Sequence, residues 1–235
     1  MKLVKLAPFL TLVSLLLALP GCGGGGGDST PAAPPAAPTF PLQAGHRALL
    51  ASASTDNFII SGWCEGTAAI TNAAATSATF EGVAGFQVLT SGTITLAACD
   101  AAGTYSGQIT RYFDANYSPI GSVDPEGEFR SSPSAPAALP TSVKVGDTAE
   151  YAVLTEYADS TKATITGRAR LSYLVEPDSA TTARLILIED SYSPSNQHLF
   201  RDRATYRIAR NGTLTLISTD TYSYLADAYL LYTKI

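Results

Sequence analysis

From residue 57 to the end, the chain consists largely of short runs of Thr, Val, Ile, Tyr and Phe separated by turn residues. No stretch holds apolar residues at helical spacing; residues 48–53 come nearest, and they are brief. Residues 57–62 alternate, with Phe58 and Ile60 on one side. Residues 86–96 are dense in β-branched side chains, and residues 103–113 carry Tyr105, Ile109 and Phe113. Residues 150–157 place Tyr151, Val153 and Tyr157 together. Residues 164–175 send Ala169, Leu171, Tyr173 and Val175 inward and Arg168, Arg170 and Ser172 outward. Residues 184–188 are apolar on both faces and read as a central strand. The clearest hairpin spans residues 206–216, where Asn211-Gly212 suits a type I′ turn. Asp159-Ser160-Thr161-Lys162 and Glu176-Pro177-Asp178-Ser179 read as further turns. The expected fold is all-β and antiparallel, a sandwich or an open barrel.

Composition divides this β-region once. Residues 131–140, Ser-Ser-Pro-Ser-Ala-Pro-Ala-Ala-Leu-Pro, read as a linker between a first β-unit (45–130) and a second (141–235). A long loop across a single sandwich is the alternative. Charge favours two units. Residues 22–140 hold nine acids against three basic residues, and residues 141–235 hold eleven against ten.

The N-terminus obeys different rules. Lys2 and Lys5 precede an uncharged apolar run at 6–19 that is too short to span a bilayer, which needs about 20 residues. Leu19-Pro20-Gly21-Cys22 closes it, and five glycines follow at 23–27. A positive start, a short apolar run and small residues make an export signal. With Cys22 at its end, residues 1–21 resemble the signal peptide of bacterial lipobox lipoproteins. The resemblance implies that Cys22 is lipidated and becomes the mature N-terminus. Gly23, not Asp, follows it, which implies outer-membrane sorting and a membrane partner through the lipid anchor. Pro20 departs from the usual lipobox, and ordinary cleavage near the same point would instead release the protein. Residues 28–44 gather five prolines among alanines, so 22–44 read as a disordered tether. Residues 58–224 are similar to uncharacterised β-rich lipoproteins of environmental proteobacteria, on the glycine run and the Asp159-Ser160-Thr161-Lys162 turn. That likeness implies no activity.

Cysteine parity fits export. If Cys22 carries lipid, Cys64 and Cys99 remain and can pair in an oxidising envelope. Such a bridge closes a loop of about 36 residues and constrains the unfolded chain by about 3–4 kcal/mol.

Chemistry-bearing motifs are few. The acidic balance argues against nucleic acid as a partner. His46 lies beside the tether and His198 in a polar loop, and no Gly-x-Ser-x-Gly elbow occurs. No catalytic residue, metal site or cofactor is expected. Asp124-Pro125-Glu126-Gly127-Glu128 lacks the full ligand series of a calcium loop and reads as a solvated turn. Arg201, Arg203 and Arg207 share a parity, as an anion-binding face requires. The simpler reading is a solvated face with cross-strand partners such as Glu156, Glu189 and Asp220, since mixed charge on an exposed sheet face is ordinary. Trp63 should face away from the core if Cys64 faces it, leaving it either available to a glycan or an envelope protein or covered by a neighbouring loop or the second unit. The expected role is a binding or structural module of the cell envelope; the alternative is a glycan-acting enzyme using carboxylates such as Asp114, Asp124 or Glu126.

Overall fold

The computed structural model describes residues 37–235. The export signal, Cys22 and the glycine run lie outside the described residues. The chain opens with β1 (Thr39–Phe40), α1 (Leu42–Ala51), β2 (Ser54–Gly62), β3 (Glu65–Asn72), β4 (Thr76–Phe80) and β5 (Val83–Ala97). It continues with β6 (Gly103–Asp114), β7 (Pro119–Val123), β8 (Phe129–Ser131), β9 (Val143–Lys144) and β10 (Thr148–Tyr157). Long strands finish it: β11 (Ile165–Pro177), β12 (Thr182–Tyr192), β13 (His198–Ala209), β14 (Leu214–Ser223) and β15 (Ala228–Lys234).

All-β antiparallel structure is as the sequence predicts, and the sheet is closed. In order around the wall run β3, β2, β15, β14, β13, β12, β11, β10, β8, β7, β6 and β5, and β5 pairs back to β3. The result is a 12-stranded antiparallel barrel, with β1 and β9 forming a separate two-stranded ribbon. The expected division into units at 45–130 and 141–235 gives way to one wall. β2 pairs with β15 and β8 with β10, so each half supplies both edges that the other needs. Residues 131–140 are no inter-domain linker. Their Leu139 is buried, the Ala137 N–H donates to the Tyr151 carbonyl, and the Pro140 carbonyl accepts from the Gln43 N–H.

The closing seam carries the disulfide. β3 and β5 pair from Glu65 with Ala97 to Asn72 with Thr90. Immediately beyond the first rung, Cys64 and Cys99 are bonded with their Cα atoms 5.2 Å apart. The bridge ties the turns after β2 and β5 together at one end of the barrel.

The opposite end is plugged. Helix α1 starts inside the stretch expected to be tether, because Phe40 and Leu42 are apolar anchors with no exposed surface. They join Leu139, Val143, Tyr151, Val175, Ala183, Leu185 and Ile208 in the main hydrophobic cluster. His46, on the inner side of α1, packs edge-on to Phe113, and burial lowers its pKa to about 4. It is therefore a neutral core residue at neutral pH. The sequence conceals this helix because only ten residues form it, with a glycine in the middle.

That glycine has a purpose. A Cβ on Gly45 would stand 2.3 Å from the Gly212 carbonyl oxygen. The β13–β14 hairpin presses its tip onto the helix there. Its turn is not type I′, since Gly212 has φ of +88° and Asn211 is not in the positive-φ region. The Gly212 N–H donates to the Ala209 carbonyl and the Ala209 N–H to the Thr213 carbonyl. This is a three-residue loop ending in a left-handed glycine.

A second register departure lies in β10. A bulge between Glu150 and Ala152 puts Tyr151 inside together with Ala152 and Leu154, while Val153 and Tyr157 face out. Outside the wall, Phe80 of β4 stacks on Tyr112 and Phe129, over the short strands β7 and β8. Gly121 makes room for it, since a Cβ there would lie 2.3 Å from the Phe80 ring.

Gly45→Ala should destabilise the fold by about 1–3 kcal/mol despite the better helix propensity of alanine, because the added methyl meets backbone. The midpoint of chemical denaturation reads this out. An unchanged midpoint would mean that the helix does not press on the hairpin.

Candidate functional site: a hollow, polar barrel interior

Strand number sets the interior. Eight strands make a barrel that side chains just fill, and sixteen or more leave a water channel. Twelve strands fall between, so inward side chains near the plug close the space and those further along leave it hollow. Inward-pointing Val175, Ala183 and Ile208 at the plugged end are completely buried. At the other end Tyr105 and Phe200, also inward in parity, stay 52% and 40% exposed. The interior is closed by α1 and open beyond the disulfide.

Charged residues occupy the middle of this interior. Pairing places Arg111 opposite Ser122, Arg130 opposite Glu156, and Glu189 opposite Asp202, all on inward parity. Arg130 Nη1 donates to Glu189 Oε1 at 2.6 Å, reaching from β8 to β12 across the curve of the wall. Its Nη2 lies 2.9 Å from Glu156 Oε1, and its Nε 3.2 Å from Glu128 Oε1. Burial works against the Arg130 charge, but Glu189, Glu156 and Glu128 hold its pKa above the ordinary value. Burial raises the pKa of Glu156 and of Asp202, whose carboxylate accepts from the Thr221 hydroxyl.

Arg111 is placed differently. It points to the inside of the barrel from β6 with its side chain exposed. Burial lowers its pKa, while Glu189 and Asp202 on the far wall pull it up. Its Nη1 donates to Thr90 Oγ1 at 2.8 Å, and Thr90 donates in turn to Asn72 Oδ1 at 2.7 Å. Beside Thr90 the inner wall is dented where Gly92 and Gly107 face each other across β5 and β6. An open depression of about 380 Å³ lies there, lined by Ile70, Ile94, Ile109, Tyr105 and the two glycines. Ordinary small-molecule sites have volumes of about 300–1,000 Å³, mostly apolar with a few polar groups.

The outer wall is polar as well. Outward positions of β3, β5 and β6 are largely Thr, Ser and Gln, and those of β11 and β13 include five arginines. Transmembrane barrels need an apolar outward band, and this wall presents hydroxyls and ion pairs instead.

Arg201, Arg203 and Arg207 do share the outer face of β13, but each is paired. Arg201 meets Asp190 at 2.7 Å, Arg203 meets Asp220 at 2.8 Å and Arg207 meets Asp178 at 2.9 Å. Asp220 is thus the partner that the sequence proposes. Glu156 and Glu189 are not, since both point inward to Arg130. His198 stacks between Tyr192 and Tyr224 and lies 2.9 Å from Asp190 Oδ1. Trp63 is 48% exposed on the open rim next to buried Cys64, as strand alternation requires. Asp124 Oδ1 accepts the Glu128 N–H and so fastens the β7–β8 turn.

Among known protein families, curated proteins and solved structures, nothing matches this chain. The site must therefore speak through its own chemistry. The residues that sequence reasoning passed over are Arg111, Arg130 and Asp202, with Glu156 and Glu189 assigned to the wrong face. Their signal was present: a charge at the same parity as Leu154, Leu185 or Tyr206 sits where an apolar residue belongs.

Arg130→Met should cost about 3–5 kcal/mol, because it strands two partly buried carboxylates. Replacing Arg130, Glu156 and Glu189 together by apolar residues should recover most of that loss. Equilibrium unfolding of the two variants checks both statements; a single variant as stable as the parent would show that the network holds nothing together.

Proposed function

We propose that this protein is an exported, lipid-anchored module of the cell envelope that binds a small molecule inside its barrel. The observation that carries the binding reading is the hollow. A wall closed by a helix at one end, open at the other and lined by both isoleucines and unspent polar groups is built to enclose a guest. Anchoring rests on Cys22 and the segment before it, and the disulfide at the open end fits an oxidising compartment. Attachment to a membrane through acyl chains leaves the barrel itself in water, in keeping with its polar outer wall. An envelope protein or glycan contacting the Trp63 rim is a further element of the reading; nucleic acid is not.

A glycan-cleaving enzyme has less support. Asp114 Oδ1 accepts from the Asn116 and Ser118 N–H groups, and Asp124 is spent likewise on its own turn. Glu126 is exposed at a loop tip.

Two measurements test the proposal. An uncharged naphthylamine dye should become fluorescent on binding the full-length protein at one site. Gly107→Phe should abolish this, since a Cβ at Gly107 meets nothing within 4 Å and its backbone is free of positive φ. The smaller Gly107→Leu, with circular dichroism, guards against misfolding. Dye that binds both variants as it binds the parent would place the site elsewhere. Separately, Cys22→Ser should stop lipid incorporation and leave precursor unprocessed. Parent protein found wholly in the aqueous phase of a detergent partition would end the anchoring proposal.

A further inference from the structure

The interior is not uniformly polar, and its asymmetry points to a class of guest. On one wall, β3, β5 and β6 supply Ile70, Ile94 and Ile109 around the Gly92–Gly107 dent. Two residues deeper along β6 stands Arg111, joined to the dent through Thr90. Among the described residues no carboxylate approaches its guanidinium within 4.0 Å, and Thr90 is its hydrogen-bond partner. Most of its N–H donors remain uncommitted. Its counterpart Arg130 differs in kind, being held by Glu189, Glu156 and Glu128 at 2.6, 2.9 and 3.2 Å.

The interior acids do not satisfy Arg111. Glu156 and Glu189 are engaged by Arg130, Asp202 is bonded to Thr221, and Asp56 is paired with Lys234. A guanidinium that faces this space with no paired anion offers a carboxylate a forked, charge-assisted pair of hydrogen bonds. Size and charge then limit the guest. An apolar body is required to cover the isoleucines, and a single negative charge to meet Arg111. A doubly charged head would meet repulsion from Glu189 and Asp202 on the far wall, close enough to influence Arg111 itself.

We propose that the barrel takes a small amphiphile bearing one carboxylate, its tail on Ile70, Ile94 and Ile109 and its head on Arg111. This rests on the reading of the interior as a binding site and names what that site selects. Exposed Trp63, Tyr105 and Phe200, at the open end, supply an apolar rim past which such a tail enters.

Competition against the naphthylamine dye separates the two levels. Full-length protein is titrated with decanoate, decanol, decylammonium and decyl phosphate. Decanoate should displace the dye at the lowest concentration. In Arg111→Gln the preference for decanoate over decanol should fall about tenfold or more, as expected for loss of a charge-assisted hydrogen bond. Arg111→Lys should restore part of it, since it returns the charge without the fork. Decanol competing as well as decanoate, or decyl phosphate or decylammonium competing better, would overturn the carboxylate assignment while leaving the interior a binding site. An undiminished preference in Arg111→Gln would do the same. Failure of the dye itself to bind would overturn both.

Discussion

The pairing of β3 with β5 is the contact on which the rest of this molecule depends. Until those strands meet, the wall is an open ribbon with two hydrogen-bonding edges, each a template for other chains. Eight paired positions close it, and the Cys64–Cys99 bridge sits just beyond the Glu65–Ala97 end of them. By holding the ends of β3 and β5 together, the bridge raises the local concentration of one edge around the other, a loop-closure effect rather than a new attraction. Closure then fixes circumference, and circumference fixes the interior. A twelve-strand wall encloses more volume than its inward side chains occupy, so its builder must choose between a plug and a void.

This chain uses both. Near the plug, Phe40 and Leu42 bring apolar mass from outside the wall, and every facing strand answers with Val175, Ala183, Leu185 or Ile208. Beyond that layer the same strands change register of chemistry, not of geometry. β12 passes from Leu185 and Leu187 to Glu189, and β13 from Ile208 and Tyr206 to Asp202. Water or a guest must satisfy what the second layer exposes. Arg130, bonded to acids from two strands, makes that layer rigid enough to act as a floor.

Local patterns in the sequence carry the strands faithfully. Ala169, Leu171, Tyr173 and Val175 face in and Arg168, Arg170 and Ser172 face out, because period-two alternation survives wherever one face meets apolar neighbours. It fails at β10, where one bulged residue reverses the sense from Tyr151 onward. It fails also at the β13–β14 turn, where Asn211-Gly212 sits in a three-residue loop with only Gly212 left-handed, because a dipeptide does not fix the loop's length. Closure was out of reach for a different reason. The β2–β15 pairing joins Phe58 to Lys234, and no local composition announces a partner so distant. The proline-rich stretch at 131–140 shows the same limit, since Pro and Ser are equally at home in a tether and in a strap pinned by Leu139. Trp63 and the three arginines of β13 were placed on their faces correctly by parity alone, but parity does not say whether an arginine is already neutralised.

The position of β15 has a consequence for how the molecule comes into being. This strand lies between β14 and β2, so the wall has a gap one strand wide until residues 228–234 are in place. Most contacts that define the barrel are long-range, which places its folding among slow, non-local topologies. A chain emerging from its N-terminus would thus stay unsealed until residues 228–234 follow. It would remain pliable until then and lock when β15 slots between β14 and β2.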